Sequence, residues 1–157
     1  SHRSDELMGR PAPFPHQYVV RLADRRLTAA AQAPIAVGPP PQFGGSDTVW
    51  SPEELLVGAT LECLWTTFEA FARRDVLPFA DWQGTGTGVL DKGPAGPTFT
   101  SITLSVELTV AGKDAERAER LLRSAEHHCI ISNALRPAVR LETKIRSEEP
   151  APVASAG

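Results

Sequence analysis

The segment Ser51-Pro-Glu-Glu54 through about Arg74 constrains the fold most. It opens with several agreeing helix-start signals: Ser51 as a capping residue, Pro52 at the first helical position, and Glu53 and Glu54 in the first turn, where the helix dipole favours acids. No proline follows until Pro78, so nothing in the run breaks the helix. Leu55, Leu56, Ala59, Cys63, Leu64, Thr67, Phe68 and Phe71 lie around most of its circumference rather than along one stripe. A helix apolar on most sides must be enclosed, centrally or against a second chain.

The remaining segments can be arranged around this helix. Tyr18-Val-Val-Arg-Leu22 reads as a strand, Ala23-Asp-Arg-Arg26 as a turn, and Leu27 to Val37 as a weak return strand. Gly38 to Asp47 is a loop by composition. Phe79 to Leu90 and Thr98 to Val110 alternate as strands, joined by a hairpin loop at Asp91–Pro97. Gly84, Gly86 and Gly88 weaken the first of these two assignments. Asp114 to His128 is amphipathic, with Ala118, Leu121, Leu122 and Ala125 facing inward, and Ser132 is placed to cap a short helical turn after Cys129. Val139 to Ile145 alternates as a last strand. The order β-β-α-β-β-α-β defines an α+β fold with antiparallel pairing. Residues 1–15 are expected to form a flexible arm, 16–146 the folded domain, and 147–157 a disordered tail.

The composition excludes several classes. The 157 residues suffice for about one domain with its own core. A formal charge of −3 gives no basic footprint for nucleic acid. No apolar run is expected to approach the ~20 residues of a membrane span, and the polar start Ser1-His-Arg-Ser-Asp-Glu6 carries no apolar leader core. The expected compartment is the cytosol, where a permanent structural disulfide is disfavoured.

Only two cysteines occur, Cys63 within the long helix and Cys129 just after the second one. Two thiols in helical context favour a redox pair over a loop staple. Three further features bear on such chemistry. Glu53 lies ten positions before Cys63, roughly 15 Å along a straight helix, so it cannot touch that thiol within one helix. Arg21, Arg25 and Arg26 supply cations near the first turn. The short turn after Cys129 offers a positive end that would lower a thiol pKa. Competing structural readings exist: Cys63 and Cys129 as small buried hydrophobes, Glu53 as a simple helix-start acid, Arg25 as a solvated turn residue. His127 and His128 beside Cys129 invite a metal reading. Adjacent histidines do not share a helix face, however, and no second Cys/His cluster accompanies them, so no metal or cofactor is expected.

Taken together, Pro52-Glu53-Glu54-Leu55 ten residues ahead of Cys63, followed by His127-His-Cys-Ile-Ile-Ser-Asn-Ala-Leu135, resembles the OsmC/Ohr family of osmotically inducible and organic hydroperoxide resistance proteins. The resemblance spans roughly residues 16–146. It implies an intertwined homodimer, with active sites at the interface, that reduces organic hydroperoxides, and hydrogen peroxide less well. By the same resemblance Cys63 is peroxidatic and passes through a sulfenic acid, Cys129 resolves it as a disulfide, and a dithiol reductant restores both. Glu53 would hold an arginine that stabilises the thiolate: Arg25 by the Ohr pattern, with Arg26 next. The OsmC pattern places that arginine where this chain has Gln42. Glu62 stands where the family has a small residue, and Ile130 where many members have proline. The alternative function is a ligand-binding or redox-sensing protein of the same fold with little turnover.

Overall fold

The computed structural model describes residues 11–148; the expectations for residues 1–10 and 149–157 lie outside them. The chain divides between Ser51 and Pro52 into two compact units.

In the first unit, β1 (Arg21–Ala23), β2 (Arg26–Thr28) and β3 (Ile35–Ala36) form an antiparallel sheet in that order. Ala23 pairs with Arg26, so Asp24 and Arg25 are a two-residue hairpin turn, and both have positive φ (51° and 61°). That geometry matches the right-handed twist of the flanking strands. The Arg25 carbonyl is held by the Val37 amide at 3.0 Å. The expected return strand is thus two short pieces, interrupted where Ala30 turns with φ 44°. Tyr18, Val19, Val20 and Leu22 are exposed.

The second unit holds α1 (Pro52–Arg74), β4 (Ala80–Gly93), β5 (Gly96–Ala111), α2 (Ala115–His127), α3 (Ile130–Ala134) and β6 (Val139–Glu148). Its sheet runs β4-β5-β6. β4 and β5 are antiparallel as expected, with strands extending to a two-residue turn at Pro94-Ala95. β5 and β6 are parallel, which corrects the all-antiparallel expectation. The reason is connectivity: the helical crossover through α2 and α3 returns the chain to the same end of the sheet. β6 also continues to Glu148, beyond the expected domain end.

Ile102, Leu104, Val106 and Leu108 of β5 are buried, as are Ala118, Leu121, Leu122 and Ala125 of α2. The latter four are the residues the amphipathic pattern assigned to the inner face. α1 departs from its expectation. Its buried residues are Thr60, Leu64, Phe68 and Ala72, a single stripe at helical spacing, whereas Leu55, Leu56, Val57, Leu61 and Phe71 are only half-buried. One chain therefore does not enclose this helix. At 23 residues it also meets, by length and composition alone, the requirement for a membrane span, contrary to the sequence expectation. Its stripe joins the core of a mixed sheet-and-helix unit, and a core helix passes the same test.

Glycine spacing explains how α1 lies on the sheet. Gly84, Gly86 and Gly88 pair with Val106, Leu104 and Ile102, so all three share the core face. A Cβ at Gly84 would come 2.8 Å from Leu61, and one at Gly86 2.7 Å from Val57. The glycines that weakened the strand assignment are the positions where the helix comes close.

α1 ends in a Schellman turn: Leu77 N–H donates to Ala72 O at 2.8 Å and Val76 N–H to Arg73 O at 3.3 Å. Val76 has φ 53°, a left-handed conformation that a β-branched residue resists. Arg117 braces the turn by donating to the Asp75 carbonyl at 2.9 Å and the Asp114 carboxylate at 3.2 Å. Val76 is 77% exposed, so its side chain gains little from burial. Val76→Gly is expected to stabilise the unit by about 1 kcal/mol, which a rise in thermal midpoint would register; a fall would contradict this account of the turn.

Candidate active site

Cys63 lies midway along α1 and is half-buried, while Cys129 immediately precedes α3 and is fully buried; both thiols are free. Local sequence explains each position. Cys63 is one residue before the buried Leu64, at the edge of the stripe that α1 lays into the core. Cys129 is the N-cap of α3, and its carbonyl accepts the first helical bond from the Asn133 amide at 3.0 Å. Asn133 Nδ2 also donates to the His127 carbonyl at 3.1 Å, tying α3 back to the end of α2. Ser132, expected to be the cap, sits inside α3 instead.

The two cysteines meet. Burial pushes the Cys129 thiol above its ordinary range, and a side-chain hydrogen bond with Cys63 pushes it further. The hydroxyl and backbone amide of Ser132 pull the other way. The Ser132 hydroxyl is buried without a well-formed hydrogen bond, so its pull is the weaker influence. The net rise reverses the lowering expected from the helix end. A one-turn helix carries little dipole, and desolvation of the charged form outweighs it. Burial and the neighbouring Cys63 sulfur thus both favour the protonated form of Cys129. Ser132 is the neighbour that sequence reasoning misplaced. Its spacing of three from Cys129 was the available signal, since residues three apart on a helix are neighbours.

The raised Cys129 pKa has a consequence for stability. Above the ordinary thiol range, about 8.5, the unfolded chain loses this proton while the folded chain keeps it. The folded state then binds more protons, so stability falls as pH rises toward the folded pKa. Cys129→Ser should remove this contribution. Denaturant midpoints at pH 7.5 and 9.5 should converge in that variant relative to the parent; an unchanged pH dependence would contradict it.

Glu53 lies in the first turn of α1, apart from the thiol pair, and its Oε2 is buried without a hydrogen-bond partner among the described residues. A buried carboxylate oxygen left unpaired is costly, and a guanidinium fork is the group that best satisfies it. Arg25 is in the first unit, at the second turn position, with Arg21 in β1 and Arg26 at the start of β2. Arg25 and Arg26 border a hollow of about 630 Å³ whose other walls include Val37, Pro39 and Val49. The aromatic residues take several roles. Phe68 and Trp65 pack on Phe79, with ring centroids 5.1 and 6.0 Å away. Phe71 sits edge-on to His128 at 5.7 Å, beside the cysteine loop. Among the described residues no group of three or more His, Cys, Asp or Glu is placed to hold a metal.

A two-unit α+β chain with one cysteine in its central helix touching another at a short helix defines a class: thiol proteins of the OsmC-like fold. The OsmC-like protein family profile matches residues 45–144, and the chain belongs to that family. Solved structures agree on the fold. An OsmC-like protein of unknown function from Vibrio cholerae superposes with a TM-score of 0.72 at 18% identity, covering 84% of this chain and 100% of that one. An organic hydroperoxide resistance protein OsmC from Legionella pneumophila gives 0.65 at 18% identity, covering 85% and 99%. The organic hydroperoxide resistance protein OhrB of Bacillus subtilis gives 0.56 at 19% identity, covering 85% and 98%. No curated protein sequence matches the chain significantly.

Proposed function

We propose that this protein is a cytoplasmic, homodimeric thiol peroxidase that reduces organic hydroperoxides, and hydrogen peroxide less well. The contact between Cys63 and Cys129 carries the reading. The Cys63 thiolate attacks the terminal peroxide oxygen and the O–O bond breaks. The alkoxide leaves with a proton as the alcohol, and Cys63 becomes a sulfenic acid. Cys129, already in contact, attacks that sulfur; water leaves and the disulfide forms. A dithiol reductant then accepts the oxidising equivalents and restores both thiols. By the family resemblance, Glu53 and Arg25 are the proposed acid and cation of the site, the cation's charge favouring the thiolate. Family membership and the fold shared with named hydroperoxide resistance proteins support the substrate class. The half-open α1 and the exposed Tyr18, Val19, Val20 and Leu22 support a second copy as the missing cover.

Burial of the Cys129 thiol favours a second reading, a redox sensor in which resolution is slow. Thiol titration before and after one equivalent of cumene hydroperoxide separates the two. Rapid loss of two thiols per chain supports the peroxidase. Slow loss supports the sensor, and no loss rejects both.

A further inference from the structure

We propose that Gly86 and Gly88 are positioning residues for the thiol pair: they form a socket for Val57 that sets how deeply α1 sits on the sheet, and hence where Cys63 lies relative to Cys129. The inference rests on the reading of these cysteines as a redox couple. Val57 straddles the two glycines. A Cβ at Gly86 would come 2.7 Å from its Cγ1, and one at Gly88 would come 2.8 Å both from its Cγ2 and from Phe99 Cε1. Ordinary carbon contacts are about 3.5–4.0 Å, so either addition demands a shift of roughly 1 Å.

Val57 cannot absorb that shift by turning. A β-branched side chain in a helix is confined to one χ1 well in about nine cases of ten. Rotation about χ1 would also carry one methyl toward the place the other vacates. The backbone must yield instead, and the Val57 carbonyl, 3.6 Å from the Gly86 Cβ position, moves with it. Gly84 differs, because its Cβ would meet the Leu61 Cδ1, the end of a longer and more adaptable side chain.

At about 100° per residue, Cys63 lies roughly 200° around the axis from Leu61 and 240° from Val57. The thiol therefore projects from the side of α1 away from the glycines. Lifting the helix from the sheet displaces the sulfur by a similar distance. Disulfide closure tolerates little of this, since Cβ–Cβ separations cluster within about 1 Å of one another. Three alternating glycines in a 14-residue strand sacrifice strand stability; close seating of the cysteine helix accounts for them.

The test is the redox equilibrium of the full chain with oxidised and reduced dithiothreitol. Two thiols of the protein give up two protons and two electrons as the reagent disulfide is reduced. Gly86→Ala should shift the equilibrium toward the dithiol by about tenfold, which is ~30 mV for this couple. Adding Val57→Ala removes both opposing methyls, and the double variant should return to within about twofold of the parent. Gly88→Ala should shift the equilibrium in the same direction, but Val57→Ala should relieve only part of that shift, because the new Cβ also lies 2.8 Å from Phe99 Cε1. Gly58→Ala, whose Cβ meets nothing within 4 Å, should leave the equilibrium unchanged. A parental equilibrium in Gly86→Ala, or a shift there that Val57→Ala does not relieve, overturns the proposal. So does a parent whose thiols never pair in this reagent. Absence of hydroperoxide turnover in a parent that does pair its thiols overturns the peroxidase reading alone.

Discussion

Cys63→Ser is expected to reduce hydroperoxide turnover to the uncatalysed background while leaving the fold intact. A serine hydroxyl is not ionised at neutral pH and does not displace an alkoxide from peroxide oxygen, so the first bond cannot form. The side chain is half-buried and its replacement nearly isosteric, so far-UV circular dichroism and the thermal midpoint should stay close to parental values. Cys129→Ser should behave differently: one equivalent of peroxide is still consumed, but the sulfenic acid at Cys63 persists and reacts with dimedone. Turnover that survives Cys63→Ser would remove that residue from the chemistry.

Phe68→Ala should produce the largest stability loss. Phe68 is fully buried in the α1 stripe, against Phe79 and within the cluster that includes Leu64 and Leu104. Removing its ring forfeits burial and leaves a cavity between α1 and the sheet, for an expected cost of about 3–5 kcal/mol by denaturant titration. A cost under about 1 kcal/mol would mean that α1 is not seated as described.

Much of this fold was legible because local signals agreed. The helix-start signals at residues 51–54 and the long apolar run predicted α1 closely, and the amphipathic spacing of Ala118, Leu121, Leu122 and Ala125 identified the buried face of α2. Alternation from Phe99 to Val110 likewise marked β5. Non-local features were not legible. The parallel pairing of β6 depends on where a crossover returns the chain, which strand periodicity does not encode. The strand glycines counted against β4 by propensity, because their reason lies in Val57 and Leu61 of another element. The site divided in the same way. Cys63 and Cys129 were readable as a pair, but the sign of the Cys129 shift was not. It depends on burial and on a second sulfur, both products of the tertiary fold. Glu53 was readable as a first-turn acid, whereas its unpaired buried oxygen was visible only in three dimensions.

The most direct test is peptide mapping under non-reducing conditions after one equivalent of cumene hydroperoxide. The account predicts a single linked species joining the Cys63 and Cys129 peptides of one chain, reversed by a dithiol. Recovery of both peptides as free thiols, or of Cys63 linked only to Cys63 of another chain, would contradict it.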